Sequence, residues 1–145
     1  MIVAVLDTNV LASGFVGLTE LASTPGELLR RWRGKAFTMV VSEPILAELA
    51  RVFSYRYFTQ RLSVTEIEAA FSGLRTEALM QPITVRVAGI ATHPQDDLIL
   101  STALGAQAQF LVTSDKPLLE RGAYCGTRLL SPRVFLAVLD QHVPG

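Results

Sequence analysis

Cysteine is almost absent from this sequence of 145 residues, which contains only Cys125. A single cysteine excludes an internal disulfide bond and any metal site built from several thiolates. Histidine is nearly as scarce, with only His93 and His142. Neither histidine lies in a motif typical of a serine or cysteine nucleophile that is activated by an imidazole. So few nitrogen and sulfur ligands also exclude a zinc site.

Long apolar runs are missing as well. None approaches the roughly 18 residues that a membrane-spanning helix needs. The N-terminus has an acid at Asp7 and no basic leader, so it does not read as a secretory signal. Half of the residues are apolar and 18% are charged, a composition typical of a folded globular chain. We therefore expect one soluble domain over residues 1–145, located in the cytoplasm and without a membrane partner.

Lysine is the third scarce residue, because eleven of the thirteen basic residues are arginine. Acidic residues also number thirteen, so the net charge is zero. Arginine makes bidentate contacts to phosphate and stacks on nucleobases. Arginine richness also arises from a GC-rich genome or a heat-adapted surface. By itself, therefore, it is a weak pointer to nucleic acid.

Short apolar segments alternate with amphipathic ones along the chain. Continuously apolar stretches predict buried strands at residues 2–6, 37–41 and 109–113, and an alternating stretch at 83–87 is a further candidate strand. Capping signals and apolar stripes predict four helices that begin near Thr24, Ser42, Ser63 and Pro94, and a last helix at 132–140. The first of them has Pro25 and Glu27 in its first turn. Residues 18–26 are predicted to form a loop. This order predicts an α/β fold, a three-layer α/β/α sandwich with a central, mostly parallel sheet.

The polar triplet Asp7-Thr8-Asn9 follows the first predicted strand directly. In open α/β sheets, ligands bind beyond the carboxyl ends of the strands, which is where this triplet would lie. Asp115 stands in the same position after the strand at 109–113. Each aspartate is also explained as an ordinary turn or helix cap. Two strands that both end in aspartate nevertheless favour a shared site.

Helical phase separates the remaining acids. At 100° per residue, Glu48 lies about 60° from Ile45 and so borders the buried stripe of its helix. Asp96 lies about 20° from Ala103 on an inward stripe, whereas Asp97 projects roughly opposite to Ile99. We therefore expect Asp96 to be the site acid and Asp97 to be a solvated cap, with Asp97 kept as the alternative.

Four carboxylates are thus predicted at one edge of the sheet: Asp7, Glu48, Asp96 and Asp115. Packed together they would repel one another, and a hard divalent cation such as Mg²⁺ or Mn²⁺ removes that conflict. Such oxygen-ligated ions serve phosphoryl chemistry. The site also takes up four of the thirteen acids, which leaves the remaining surface basic by about four charges. An aspartyl-phosphate phosphatase is disfavoured because Asn9 stands where its second acid belongs.

Three blocks, VLDTNVLAS, VVSEPILAEL and HPQDDLILSTALGAQAQFLVTSDKPLL, together resemble the PIN-domain ribonucleases. Within that family the likeness is to putative toxin components of bacterial toxin–antitoxin systems, related to the VapC type. The resemblance covers most of the chain and implies a metal-dependent endoribonuclease that prefers single-stranded RNA. It further implies one or two Mg²⁺ or Mn²⁺ ions, a small antitoxin protein as partner, and a homodimer or higher homo-oligomer.

Carried over by position, the resemblance assigns the four family acids to Asp7, Glu48, Asp96 and Asp115, as catalytic residues and metal ligands. It assigns supporting polar roles to Thr8, Asn9 and Ser114. Candidate RNA contacts are Arg30, Arg31, Arg33, Arg51, Arg56 and Arg61, each of which is otherwise an ordinary solvated arginine. Two alternatives stay open: a catalytically silent binding module that kept the fold, and an RNA-processing nuclease without an antitoxin.

Aromatic residues at 53–58 allow a second interpretation. Phe53, Tyr55, Tyr57 and Phe58 are read either as base-stacking platforms or as core and subunit interface, and dimerisation is our first expectation. Trp32 and Phe135 are expected in the core.

Overall fold

A computed structural model describes residues 1–91 and 93–142 of the chain. Six strands lie at Val3–Leu6 (β1), Thr38–Val41 (β2), Leu79–Met80 (β3), Phe110–Val112 (β4), Ala123–Tyr124 (β5) and Thr127–Leu130 (β6). Within these residues the α-helices are Thr8–Val16 (α1), Thr24–Arg33 (α2), Glu43–Phe53 (α3), Arg56–Thr59 (α4), Val64–Glu77 (α5), Pro94–Gly105 (α6), Lys116–Arg121 (α7) and Pro132–Gln141 (α8). A 3₁₀ turn at Gly17–Thr19 separates α1 from α2.

The strands form one sheet in the order β3-β2-β1-β4-β6-β5. Pairing is parallel throughout except between β5 and β6, which form an antiparallel pair at one edge. The central strands β1, β2 and β4 are almost wholly buried, as their continuous apolar sequences predict. The predicted α/β sandwich with a mostly parallel sheet is therefore confirmed.

The first helix, α1, has no counterpart among the predicted elements. Its buried residues lie on most of its circumference: Thr8, Val10, Leu11, Ala12, Gly14 and Phe15. A helix that is covered on nearly every side shows no polar face, so the sequence lacks the 3.6-residue stripe by which an amphipathic helix is detected. Burial of α1 places the start of this helix, and the polar triplet in it, inside the molecule.

The start of α2 differs from the expectation by one residue. Ser23, not Thr24, is the N-cap, and its Oγ accepts a hydrogen bond of 3.0 Å from the backbone N–H of Gly26. The predicted loop at 18–26 is correspondingly shorter and includes the 3₁₀ turn. By contrast, the predicted cap of α5 is confirmed, because Ser63 and Glu66 form a reciprocal capping box.

The expected strand at 83–87 is wrong. The chain pairs with β2 slightly earlier, at Leu79–Met80, and residues 82–85 are not part of the sheet. Two side chains of α6 hold the segment that follows, since Ser101 accepts a hydrogen bond from the Val87 N–H and Asp97 accepts three more from residues 89–91. Within the predicted strand, therefore, the Val87 N–H bonds to a side chain and not to a neighbouring strand.

The helices that carry candidate acids are fixed against one another. The hydroxyl groups of Ser42, at the start of α3, and Thr102, in α6, share a buried hydrogen bond of 2.7 Å. Ile45 and Leu49 of α3 are fully buried, as predicted from their spacing. Trp32 and Phe135 lie in the core, also as expected. Among the described residues, no helix is both long and apolar enough to cross a membrane.

Candidate functional site

A cleft of about 540 Å³ opens at the carboxyl ends of β1 and β4. All four predicted acids line this cleft, although they come from the ends of two strands and from two different helices. The lining residues are Asp7, Asn9, Glu48, Arg51, Val52, Tyr55, His93, Asp96, Ser114 and Asp115. Sequence positions more than 100 residues apart therefore meet in a single depression.

Asp7 lies deepest among the four acids and is only 7% exposed. It joins β1 to α1, and its backbone N–H donates to the carbonyl of Val112 on the neighbouring strand β4. Its Oδ2 accepts a hydrogen bond of 2.8 Å from the hydroxyl of Thr113. Burial raises the pKa of Asp7, while Thr113 and the nearby backbone amides of Thr8 and Asn9 partly oppose that rise. The carboxylate is thus held in one orientation in a poorly solvated position.

Thr113 was not identified as a site residue from the sequence. Besides donating to Asp7, its Oγ1 accepts a hydrogen bond of 3.0 Å from the backbone N–H of Asp115. One hydroxyl therefore connects the two aspartates that end β1 and β4. Thr113 directly follows β4, and nothing in its local sequence distinguishes it from other threonines at strand ends.

Asp115 also serves as a helix cap, which was the competing interpretation of this residue. Its Oδ2 accepts a hydrogen bond of 3.0 Å from the Leu118 N–H at the start of α7. The same side chain lines the cleft. Capping and site membership are therefore compatible, because the strand ends where the cleft begins.

Asp96 lies in the first turn of α6 and is half-buried. Burial, as the largest cause, and the negative charges of Asp7, Asp115 and Glu48 together raise the pKa of Asp96 to about 6, while His93 opposes them. Such mutual repulsion shows that the four acids share one electrostatic environment. His93 was not predicted as a site residue, although it directly precedes Pro94 and so occupies the N-cap of α6.

Asp97 points away from this cluster, as its helical phase predicts, but it is not solvated. It is only 8% exposed, which corrects the expectation of an exposed cap. Its carboxylate accepts hydrogen bonds of 3.0, 3.2 and 2.8 Å from the backbone N–H groups of Gly89, Ile90 and Ala91. Asp97 therefore anchors the segment before α6 and does not line the cleft.

Glu48 reaches the cleft from the middle of α3. Its carboxylate accepts two hydrogen bonds from Arg51, one of them 3.0 Å from Nε. Arg51 also donates to the hydroxyl of Tyr55. A basic and an aromatic side chain thus stand beside the acids, and Tyr55 was not singled out from the sequence for this position.

The three supporting polar residues lie in different surroundings. Asn9 and Ser114 are exposed and line the cleft. Thr8 is buried, and among the described residues its Oγ1 has no hydrogen-bond partner. Asn9 and Ser114 are therefore available to a ligand in the cleft.

The candidate RNA-binding arginines divide into two kinds. Arg30 binds Glu27 and the carbonyls of the 3₁₀ turn, and Arg31 binds Glu27 and Asp140, so both guanidinium groups contribute to the fold. Exposed positions are held by Arg33, Arg51, Arg56 and Arg61. Of all six, only Arg51 lines the acidic cleft.

The donor chemistry of the cleft suits a hard divalent cation, since it consists of carboxylates with an amide and a hydroxyl. In the described part of the chain, however, no group of three His, Cys, Asp or Glu side chains is arranged to hold a metal ion. Mg²⁺ commonly keeps several waters and uses one or two carboxylates together with substrate phosphates. The residues therefore fit such an ion, provided that water or substrate completes its coordination.

Comparison with known proteins points to one family. A family model described as PIN domain matches residues 3–117, well over half of the chain. Among solved structures, the chain resembles the crystal structure of VapBC2 from Rickettsia felis bound to a DNA fragment from their promoter. The match has a TM-score of 0.57 and 17% identity, and covers 90% of this chain and 98% of that chain. At this identity the likeness shows the fold alone. No curated protein matches the sequence.

Proposed function

The chain belongs to the PIN-domain family, and on that premise we propose that it is a metal-dependent endoribonuclease that hydrolyses phosphodiester bonds of single-stranded RNA. The observation that carries the proposal is the convergence of Asp7, Glu48, Asp96 and Asp115 on one cleft. Burial and, to a smaller extent, repulsion by the other acids raise the pKa of Asp96 to about 6. Such a cluster is costly to maintain unless a cation or a positively charged group offsets it.

In the proposed mechanism, Asp7 and Asp96 hold Mg²⁺ or Mn²⁺, and Glu48 and Asp115 complete the acidic site for one or two ions. When bound, the metal activates a water and stabilises charge on the phosphate. Thr113 keeps Asp7 oriented, Asn9 and Ser114 position water by hydrogen bonding, and a carboxylate of the cleft accepts the proton of the attacking water. Arg51 supplies a positive charge for the phosphate or for the departing oxygen.

The experiment that tests this proposal is cleavage of a mixed single-stranded RNA pool by the purified protein in Mg²⁺, Mn²⁺ or EDTA. Asp7→Asn and Asp96→Asn remove one carboxylate each and should abolish cleavage. Asp97→Asn is the control, because Asp97 is the neighbouring acid and lies outside the cleft; the fraction of protein that remains folded should retain activity. Cleavage that survives in EDTA or in Asp7→Asn would contradict the proposal.

A binding module that kept the fold without catalysis remains the alternative from another functional class. In the described residues no group of three His, Cys, Asp or Glu side chains is arranged to hold a metal ion, which favours this alternative. In that case wild type would bind RNA without cleaving it in any of the three conditions. The same assay therefore separates the two functions.

We further propose that a small antitoxin protein inhibits the nuclease, and that the active form is a homodimer or higher homo-oligomer. The similar structure from Rickettsia felis is by its title a VapBC2 complex bound to promoter DNA, which supports such a partner. The test is co-expression with the product of a short reading frame adjacent to the gene. Co-purification together with loss of RNA cleavage is expected. An RNA-processing nuclease without an antitoxin would show neither.

A further inference from the structure

Two tyrosines between α3 and α5 are exposed, although the neighbouring phenylalanines are not. Tyr55 and Tyr57 are 44% and 53% exposed, whereas Phe53 and Phe58 are buried in the core. Each tyrosine is paired with an arginine: Arg51 lies 5.4 Å from the ring centroid of Tyr55, and Arg61 lies 3.7 Å from that of Tyr57. Arg51, Tyr55, Tyr57 and Arg61 are here called the Tyr–Arg ridge. Each guanidinium covers one face of its ring, so an unpaired base would stack on the other face.

One end of the Tyr–Arg ridge lies in the acidic cleft, because Arg51 and Tyr55 line it. The other end lies at a second cavity of about 480 Å³, which Arg61 lines together with Arg30 and Arg33. These three residues define the arginine pocket, and its apolar wall includes Phe15 and Leu18. The volume falls within the range of small-molecule sites, about 300–1,000 Å³.

The charge of the arginine pocket favours an anion. Three arginines and one acid, Glu66, line it, and the Glu66 carboxylate already accepts the Ser63 N–H in the capping box. Arg30 is paired with Glu27, so the exposed Arg33 and Arg61 supply the positive charge of the pocket.

Helix α1 sets the distance between the two cavities. The helix starts beside Asp7 at the cleft, and its last residues, Phe15 and Val16, line the arginine pocket. Nine residues of α-helix span about 13 Å, which a few nucleotides of single strand can cover. The ridge connects the two cavities, since Arg51 and Tyr55 line the cleft and Arg61 lines the arginine pocket.

We propose that the Tyr–Arg ridge and the arginine pocket form a binding path for single-stranded RNA that continues from the acidic cleft. Unpaired bases stack on Tyr55 and Tyr57, and the arginine pocket takes a backbone phosphate away from the scissile bond. This path rests on the proposed ribonuclease function and extends it, because it assigns a substrate-binding surface outside the acids.

The experiment measures binding of a fluorescein-labelled, short, single-stranded RNA by anisotropy in EDTA, where no metal-dependent cleavage interferes. Tyr57→Leu should weaken binding about tenfold, because stacking on an aromatic side chain contributes about 1–3 kcal/mol per base. Tyr57→Phe keeps the ring and should bind as wild type does. A blunt duplex of the same sequence should be insensitive to Tyr57→Leu, since its bases cannot stack on the ridge.

Salt dependence distinguishes stacking from phosphate contacts. Arg33→Gln and Arg61→Gln should each weaken binding and reduce the slope of log affinity against log salt by about 0.7, the value for one lost phosphate contact on a single strand. Tyr57→Leu should leave that slope unchanged. The matched controls are Tyr124→Leu and Arg121→Gln, which disrupt another tyrosine–arginine pair at the edge strand β5 and should bind as wild type does.

Wild-type affinity in Tyr57→Leu and in the Arg33→Gln, Arg61→Gln double variant would overturn the binding path. So would conversion of a dimer to monomer by Tyr57→Leu in light-scattering measurements, because the ridge would then be an interface between two copies. Cleavage by wild type together with normal binding by the variants would refute the path and leave the nuclease intact. Loss of binding in the variants of a protein that never cleaves would support the path and refute the nuclease.

Discussion

Replacing Asp96 with asparagine is expected to stabilise the metal-free protein, although it removes a proposed catalytic group. Asp96 is half-buried and shares the cleft with Asp7, Asp115 and Glu48. Burial and these charges raise the pKa of Asp96 to about 6, from 3.8. At about 1.36 kcal/mol per pKa unit, that rise corresponds to a cost of about 3 kcal/mol for the ionised form. Because solvent screens a partly exposed group, we expect Asp96→Asn to raise the free energy of unfolding by about 1 kcal/mol.

The stabilisation by Asp96→Asn should depend on pH. A carboxyl whose pKa is raised by folding binds its proton more tightly in the folded state, so its destabilisation is fully present above about pH 6. It declines as the pH falls from about 6 towards 4, where Asp96 is protonated in the folded state. The advantage of Asp96→Asn over wild type should therefore shrink over that interval.

The assay is urea unfolding in EDTA at about pH 7.5 and about pH 4.5, followed by the fluorescence of the single tryptophan, Trp32. Added Mn²⁺ should reverse the order at the higher pH, because a ligand at 100 times its Kd stabilises wild type by about 2.7 kcal/mol. Equal stability of Asp96→Asn and wild type in EDTA, or an advantage that grows as the pH falls, would refute the proposed cost of ionising Asp96 in the cleft.

Asp97→Asn is the matched control, because it makes the same substitution one residue later. Its carboxylate accepts three backbone N–H groups, and an amide has only one oxygen with which to replace them. We expect Asp97→Asn to lower the free energy of unfolding by about 2 kcal/mol at neutral pH. Adjacent aspartates should thus give opposite changes in stability. Stabilisation by Asp97→Asn would show that the acids were assigned the wrong way round.

Three further substitutions test the fold and the site. Thr113→Val removes the hydroxyl that donates to Asp7, and it should lower the free energy of unfolding by about 1–3 kcal/mol. Because that hydrogen bond lowers the pKa of Asp7, its loss should shift the acid limb of the pH profile of RNA cleavage to higher pH. An unchanged profile would contradict this role of Thr113. Gly26→Ala would place a Cβ 2.1 Å from the carbonyl oxygen of Gly17, so a large fall in melting temperature is expected and wild-type stability would be inconsistent with that close approach. Ser63→Ala breaks the capping box and should cost about 1 kcal/mol in urea unfolding without changing RNA affinity, whereas a change in affinity would link this cap to the binding surface.

Local patterns in the sequence were sufficient to predict a helix that has one buried face and a strand that is a short apolar run. The strands β1, β2 and β4 and the helix α8 begin and end within one or two residues of the expectations, and the helices α3, α5 and α6 begin within one or two residues of theirs. The N-cap of α2 was harder to predict, because Ser23 and Thr24 are both suitable capping residues. In the structure it is the Ser23 side chain that accepts the Gly26 N–H. Helix α1 was missed because burial on most sides removes the polar face that reveals a helix.

The short elements of the second half of the chain depend on tertiary contacts. Strand β3 has two residues and exists because β2 offers an unpaired edge. In the described structure the segment 83–87 joins no strand despite its alternation. The Val87 N–H is bound instead by Ser101, and Asp97 holds the residues 89–91 that follow. Propensity over five residues is too weak to predict which of these partners a segment finds.

For the candidate site, the sequence by itself determined the chemical inventory. It placed aspartates at the ends of two buried strands, and the helical phase of α6 separated Asp96 from Asp97. Only the tertiary structure decided which neighbours these acids have: Thr113 bonded to Asp7, Arg51 bonded to Glu48, and Tyr55 at the mouth of the cleft. The physical reason is distance along the chain. Phase and strand alternation act over a few residues, whereas the environment of a carboxylate is set by groups that folding brings together from opposite ends of the sequence.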